Sequence, residues 1–181
     1  MIAPSDETIA FVRTEVGRWA QCARRDLPWR ETRDPWAIIV SETMLQQTQV
    51  ARVLPKYASF LSRFPTAVAC AAARVGEVVD AWAGLGYNRR AVFLHRLAAE
   101  VVERHHAQVP DDLDALLALP GIGPYTARAV LVFAFERDVA VVDTNIGRVL
   151  ARLTGQRLGQ KSVQQLADRL VPADSGWDWN Q

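Results

Sequence analysis

Residues 119–130 read LPGIGPYTARAV, and no other stretch limits the fold as much. A proline and two glycines separate two apolar runs of helical spacing. Leu113, Leu116, Leu117 and Leu119 precede the break, and Ala127, Val130, Leu131 and Ala134 follow it. Tyr125 stands where the second helix begins. The pattern predicts helix, hairpin, helix over residues 113–134. Bare backbone between two helices has two readings. It is a tight connection that needs glycine only for its backbone angles, or its N–H groups and the positive end of the next helix hold an anion such as a backbone phosphate.

Helical periodicity dominates the rest of the chain. Ile9, Val12, Val16 and Trp19 form one stripe of an amphipathic helix opened by Asp6 and Glu7. DPWAIIVSETMLQQT begins with Asp34 as N-cap and Pro35 at the first helical position, then is apolar on most sides, as a central buried helix would be. Pro65 and Thr66 punctuate the chain, and EVVDAWAGLG ends a short helix at glycine. RRAVFLHRLAAEVVERHH turns Leu94, Leu97, Ala98 and Val101 inward. DTNIGRVLARLTG closes at Gly155, and SVQQLADRLV stops at Pro172. The one strand-like run is DVAVV at 138–142. The expected class is all-α.

Composition then removes several functions. No apolar stretch approaches about 18 residues, and the first twenty residues carry charge throughout, so neither a membrane span nor a signal peptide is expected. Cys22 and Cys70 lie far apart without metal-ligand spacing, which fits a reduced, cytoplasmic protein with no metal site of its own. A net charge of +1 gives no global basic footprint, so any contact with nucleic acid has to be a local patch.

Two carboxyls stand out. Glu42 lies within the most apolar helix, with Ile38, Ile39 and Leu45 among its neighbours three and four residues away. Such surroundings raise a carboxyl pKa and keep the proton on near neutrality. The alternative is a glutamate at the helix edge bonded to backbone or to Arg30. Asp143 follows an apolar run and opens the TNIGRVL helix, where N–H groups and the dipole favour the anion. The same observation describes a plain N-cap. One neutral and one ionised carboxyl suit general-acid catalysis and charge stabilisation. Cleavage of a glycosidic bond through an oxocarbenium-like transition state uses both. With a phosphate clamp beside them, the substrate is a nucleoside within DNA.

LPWR (27–30), SETMLQQTQV (41–50), GLGYNRRA (84–91), LPGIGPYTARAV (119–130) and VVDTNIGRVLAR (141–152) together resemble the adenine-specific mismatch glycosylases, the MutY branch of the helix-hairpin-helix DNA glycosylases. The resemblance runs from about residue 9 to the final WNQ. It implies a six-helix barrel-like domain at 29–133 and a second helical half-domain built from 1–28 and 134–181. It also implies excision of adenine opposite 8-oxoguanine or guanine in double-stranded DNA, by a monomer. By resemblance, Glu42 protonates adenine and Asp143 stabilises the sugar cation, with Tyr125 and Asn145 orienting the pair. Leu27, Trp29, Arg30, Leu45 and Val50 match positions around the extruded base. Gln47 and Tyr87 match side chains that wedge into the opened stack. Leu119, Gly121, Ile122, Gly123 and Thr126 belong to the phosphate-holding hairpin.

Each of these residues also has an ordinary reading. Trp29 and Leu45 serve equally well as core, Gln47 as a polar helix end, and Tyr87 as a buried aromatic. Position 125 separates two chemistries, because lyase relatives carry lysine there and form a Schiff base with the sugar, which tyrosine cannot do. A thymine/uracil mismatch glycosylase is the nearest enzymatic alternative, and a truncated, non-catalytic DNA-binding remnant is the other. The family continues past WNQ with cysteines that bind a 4Fe–4S cluster and with a domain that reads 8-oxoguanine. Cys22 and Cys70 match none of those ligands, so no cluster is expected on this chain.

Overall fold

The computed structural model describes residues 4–181, so residues 1–3 of the expected segment 1–28 lie outside the described residues. Among the described residues the regular elements are helical. They are α1 (Asp6–Ala23), α2 (Pro35–Leu45), α3 (Val50–Arg63), α4 (Ala67–Ala72), α5 (Val75–Ala81), α6 (Arg89–Arg104), α7 (Leu113–Ala118), α8 (Pro124–Phe135), α9 (Thr144–Thr154), α10 (Gln160–Leu170) and α11 (Gly176–Trp179), with a 3-10 turn at Pro28–Arg30 before α2. Short polar side chains start several of them. Ser5 accepts from the Thr8 N–H, Asp34 from Trp36, Thr66 from Ala69 and Asp112 from Ala115. Gly155, at φ +65°, closes α9 in the left-handed conformation that a Cβ disfavours.

The chain divides into two compact units. One is Leu27–Phe135; the other joins the residues up to Asp26 to Glu136–Gln181. In the first, α2 is buried along nearly its whole length, from Trp36 to Met44, and packs against α3, α6 and α8. Its Trp36 indole donates to the Phe64 carbonyl at 3.0 Å. Phe60 stacks edge-on against Trp82, and α6 lays Leu94, Leu97, Ala98 and Val101 into the same core. Each such large apolar side chain contributes roughly 1.5–3 kcal/mol when fully buried. The α5 helix stops at Ala81, ahead of the glycine expected to end it. Trp82 is wholly buried there, and its indole donates to the Gly86 carbonyl, so the chain leaves the helix to seat that ring.

In the second unit, Ile9, Ala140, Leu150, Val163, Leu166, Ala167, Leu170 and Val171 form the core, with Val12 at its edge. Arg13 secures α1 to α10 by donating to the carbonyls of Leu170, Arg169 and Val171. The expected α1 stripe is therefore covered for only half its length. Val16 and Trp19 stay at the surface, Trp19 at 70% exposed. Periodicity identifies a face of a helix, not how far along it a neighbour reaches. The strand-like run 138–142 forms no strand. It is irregular, with a bend at Asp138, and held by side chains instead of a ladder. Asp168 accepts from the Ala140 N–H at 2.9 Å, Gln164 donates to the Ala140 carbonyl, and Asn180 bonds both the Val141 N–H and the Val139 carbonyl.

Candidate active site and nucleic-acid interface

Glu42 sits one turn before the end of α2, 7% exposed among apolar neighbours. Burial pushes its carboxyl from the ordinary 4.5 up to about 7, and a hydrogen bond from the Tyr125 hydroxyl pulls the other way. Tyr125 is the second residue of α8, which packs directly on α2, so the hairpin delivers the phenol to the acid.

The hairpin itself is closed by Leu119 and Ile122, both buried, with the Ile122 N–H bonded to the Leu119 carbonyl at 3.2 Å. Thr126 is buried beneath it. Its two glycines differ in kind. Gly121 has φ +81°, and a Cβ there would lie 3.0 Å from Phe93 Cβ, so the turn requires it. At Gly123 nothing lies within 4 Å of a built Cβ. Packing gives no reason for that glycine, which leaves it a candidate for close approach by an external group. Gly123→Val is therefore expected to keep the fold and to weaken binding to all duplexes by a similar factor, since phosphate contacts carry no sequence. Fluorescence anisotropy on matched and mismatched duplexes checks it; unchanged affinity would make the hairpin only a turn.

Gln47 and Tyr87 face solvent on two neighbouring loops, Tyr87 at 66% exposed, so its reading as a buried aromatic does not hold. Both occupy left-handed backbone, at φ +54° and +48°. For residues with a side chain this costs on the order of 1–2 kcal/mol, and such strain gathers at functional sites. Between them opens a cleft of about 630 Å³, lined on one side by Gln47–Gln49 and Arg52 and on the other by Ala83–Asn88. None of the five residues expected around an extruded base lines that cleft. Leu27 and Trp29 are buried, Trp29 edge-on to Tyr57 with ring centres 5.4 Å apart; Leu45, Val50 and Arg30 are half-buried.

Asp143 belongs to the second unit and caps α9. One carboxylate oxygen accepts from the N–H groups of Asn145 (2.9 Å) and Ile146 (2.8 Å), and the other from the Asn145 side-chain amide (2.8 Å). Arg148 donates to the Asn145 side-chain amide oxygen (Oδ1) and so fixes which end of the amide faces Asp143. The sequence reading passed over Arg148, although its place one turn after Asn145 was a usable signal.

A four-thiolate cluster does not fit the residues given. The sequence holds two cysteines, Cys22 exposed and Cys70 buried, and burial pushes the Cys70 thiol up to about 12, away from the thiolate a metal binds. Among the described residues no three His, Cys, Asp or Glu side chains gather as a metal site, and no helix is long and apolar enough to cross a membrane.

Comparison with known proteins sets these features in a family. The HhH-GPD superfamily of base excision DNA repair proteins matches residues 40–173. The chain belongs to this superfamily. The HhH-GPD span contains Glu42, Tyr125, Asp143 and Asn145 as well as both solvent-facing loops. An adenine DNA glycosylase of Mycobacterium tuberculosis is 51% identical over 140 residues, 77% of this chain and 46% of the relative. A thymine/uracil-DNA glycosylase of Pyrobaculum aerophilum is 35% identical over 170 residues, 90% of this chain and 74% of the relative. The solved structure of a thermostable thymine-DNA glycosylase superposes with a TM-score of 0.90 at 30% identity, over 97% of this chain and 83% of that one. The chain thus spans less than half the length of the mycobacterial relative, and its HhH-GPD fold is all-helical.

Proposed function

We propose that this chain is the catalytic part of a monofunctional DNA glycosylase that hydrolyses the N-glycosidic bond of adenine opposite 8-oxoguanine or guanine. The observation that carries the reading is Glu42, a buried carboxyl held near neutrality and hydrogen-bonded by a tyrosine from the hairpin. A carboxyl with a pKa of about 7 keeps much of its proton at working pH and still gives it up readily. Glu42 donates that proton to adenine N7, and the glycosidic electron pair leaves with the base. The Asp143 carboxylate offsets the positive charge left on the sugar. Water adds its oxygen to C1′ and returns a proton to the Glu42 carboxylate, which leaves an abasic site. A phenol at position 125 forms no Schiff base, so the strand stays intact. Gln47 and Tyr87 fill the gap vacated by the flipped base, offsetting a few kcal/mol of lost stacking.

A second reading, excision of thymine or uracil from guanine mismatches, is favoured by the Pyrobaculum aerophilum relative, of which this chain spans 74%. Chromatography of the bases freed from adenine:8-oxoguanine, adenine:guanine and thymine:guanine duplexes decides between the two. Free adenine, with strand breaks that need added alkali, is the expected result. Free thymine installs the second reading. Strand cleavage without alkali, or a borohydride-trapped adduct, overturns the monofunctional assignment. Duplex binding with no base released leaves a DNA-binding piece.

A further inference from the structure

Arg90 carries a full charge on the inward stripe of α6, four residues before Leu94, and is 9% exposed. Its guanidinium is the junction of the two loops that present Gln47 and Tyr87. One terminal nitrogen donates to the carbonyls of Thr43 (2.9 Å), Met44 (3.0 Å) and Gln46 at the end of α2. The other donates to the Thr48 hydroxyl (2.9 Å) and to the carbonyls of Leu85 (3.2 Å) and Gly86 (3.1 Å). The guanidinium carbon also lies 5.5 Å from the Tyr87 ring centre. Capping the negative end of α2 would engage only the first three acceptors. The remaining three lie on the loops themselves. Gln46 and Gly86 immediately precede Gln47 and Tyr87, two of the side-chain-bearing residues held in left-handed backbone.

We infer that Arg90 is a positioning residue that fixes the Gln47 and Tyr87 loops as one rigid wedge, so that both side chains enter an opened duplex in register. The inference rests on the proposed reading of Gln47 and Tyr87 as wedge residues. A planar fork bonds acceptors on two loops at once, whereas the compact ammonium of lysine has three donors and no plane. Each loop has a turn bond of its own, from the Thr48 N–H to the Leu45 carbonyl and from the Leu85 N–H to the Trp82 carbonyl, and the guanidinium ties the two loops together.

The test compares the chain with Arg90→Lys, Thr48→Ala, Tyr87→Ala and the Arg90→Lys/Tyr87→Ala double variant. Two quantities are read: the ratio of affinities for adenine:8-oxoguanine and matched duplexes, and the fluorescence rise of 2-aminopurine placed opposite 8-oxoguanine, which reports extrusion. Arg90→Lys is expected to lower the mismatch preference and the extrusion signal roughly tenfold, as loss of hydrogen bonds to a charged group predicts. Affinity for matched duplex should hold. Thr48→Ala, which removes one Arg90 acceptor and the hydroxyl's own bonds to the Gln46 and Leu85 carbonyls but no charge, should give a smaller loss in the same direction. The double variant should lose less than the two single losses combined, because part of what Arg90 does passes through Tyr87. Unchanged preference in Arg90→Lys overturns the inference, as does unchanged preference in Thr48→Ala if the lysine variant does not fold. Fully additive losses overturn it as well and leave Arg90 a helix cap. If Tyr87→Ala itself keeps the mismatch preference, the wedge reading fails first and the inference goes with it.

Discussion

Glu42→Gln is expected to abolish the proposed adenine release while duplex binding survives: the amide keeps the shape of the acid and has no proton to deliver. Removal of a general acid lowers a rate by roughly 10²–10⁴-fold. The same substitution acts on stability in the opposite direction. The pKa of Glu42 is about 7 when folded against an ordinary 4.5, so the folded chain holds a proton that the unfolded chain has released. Stability from this group is therefore intact below about pH 4.5 and is lost as pH rises toward about 7. Above that window, burial of the anion destabilises the fold by about 3 kcal/mol, as an order of magnitude. Urea unfolding should show the glutamine variant more stable than its parent at pH 8 and equal to it near pH 4. Catalysis in the parent should decline above about pH 7, where the acid has lost its proton. Because the Tyr125 bond lowers the Glu42 pKa, Tyr125→Phe should move that alkaline limb upward. A limb that stays in place would show that the phenol does not set the acid.

Gly176→Ala is expected to unfasten the last forty residues. A Cβ at this position would collide with the Arg137 carbonyl oxygen and lie 2.9 Å from both Asp138 Cα and an Asp138 carboxylate oxygen. Two of those three atoms are backbone and have nowhere to swing. The Asp138 carboxylate is itself held by the N–H groups of Asp174 (2.7 Å), Ser175 (3.2 Å) and Gly176 (2.8 Å), which keep its pKa below the usual carboxylate value. Relief of the clash has to break that clasp. The expected loss is about 3 kcal/mol or more, at the upper end of what overpacking does. Urea unfolding measures it, and hydrogen exchange should show 138–142 and α9–α11 opening while α2 and α8 stay protected. A loss within about 0.5 kcal/mol would mean that the 137–138 backbone yields freely.

Features written in near-neighbour spacing were legible in the sequence. Asp34 and Pro35 announced α2, Leu94, Leu97, Ala98 and Val101 drew the buried face of α6, and the neighbours of Glu42 foretold its raised pKa. Each rests on contacts three or four residues apart, which a helix dictates whatever surrounds it. What stayed hidden depends on groups far apart in sequence. Asp138 finds its donors 36 to 38 residues downstream. Arg90 finds the carbonyls of α2 from 44 to 47 residues away. Even so, an arginine four, seven and eleven residues before three core positions was a visible anomaly. A charge on an apolar stripe has to be matched by acceptors that the fold brings from elsewhere.

The irregular run 138–142 bears on how the chain behaves in company. Valine-rich, uncharged stretches are the segments through which partly opened proteins stick together, because unpaired N–H and C=O groups template another strand. Here Asp168, Gln164 and Asn180 occupy those groups at Val139, Ala140 and Val141, and do so one side chain at a time. Around Ala140 these bonds close the edge to a second chain. These three polar side chains thus guard solubility as well as shape, and each can be lost separately.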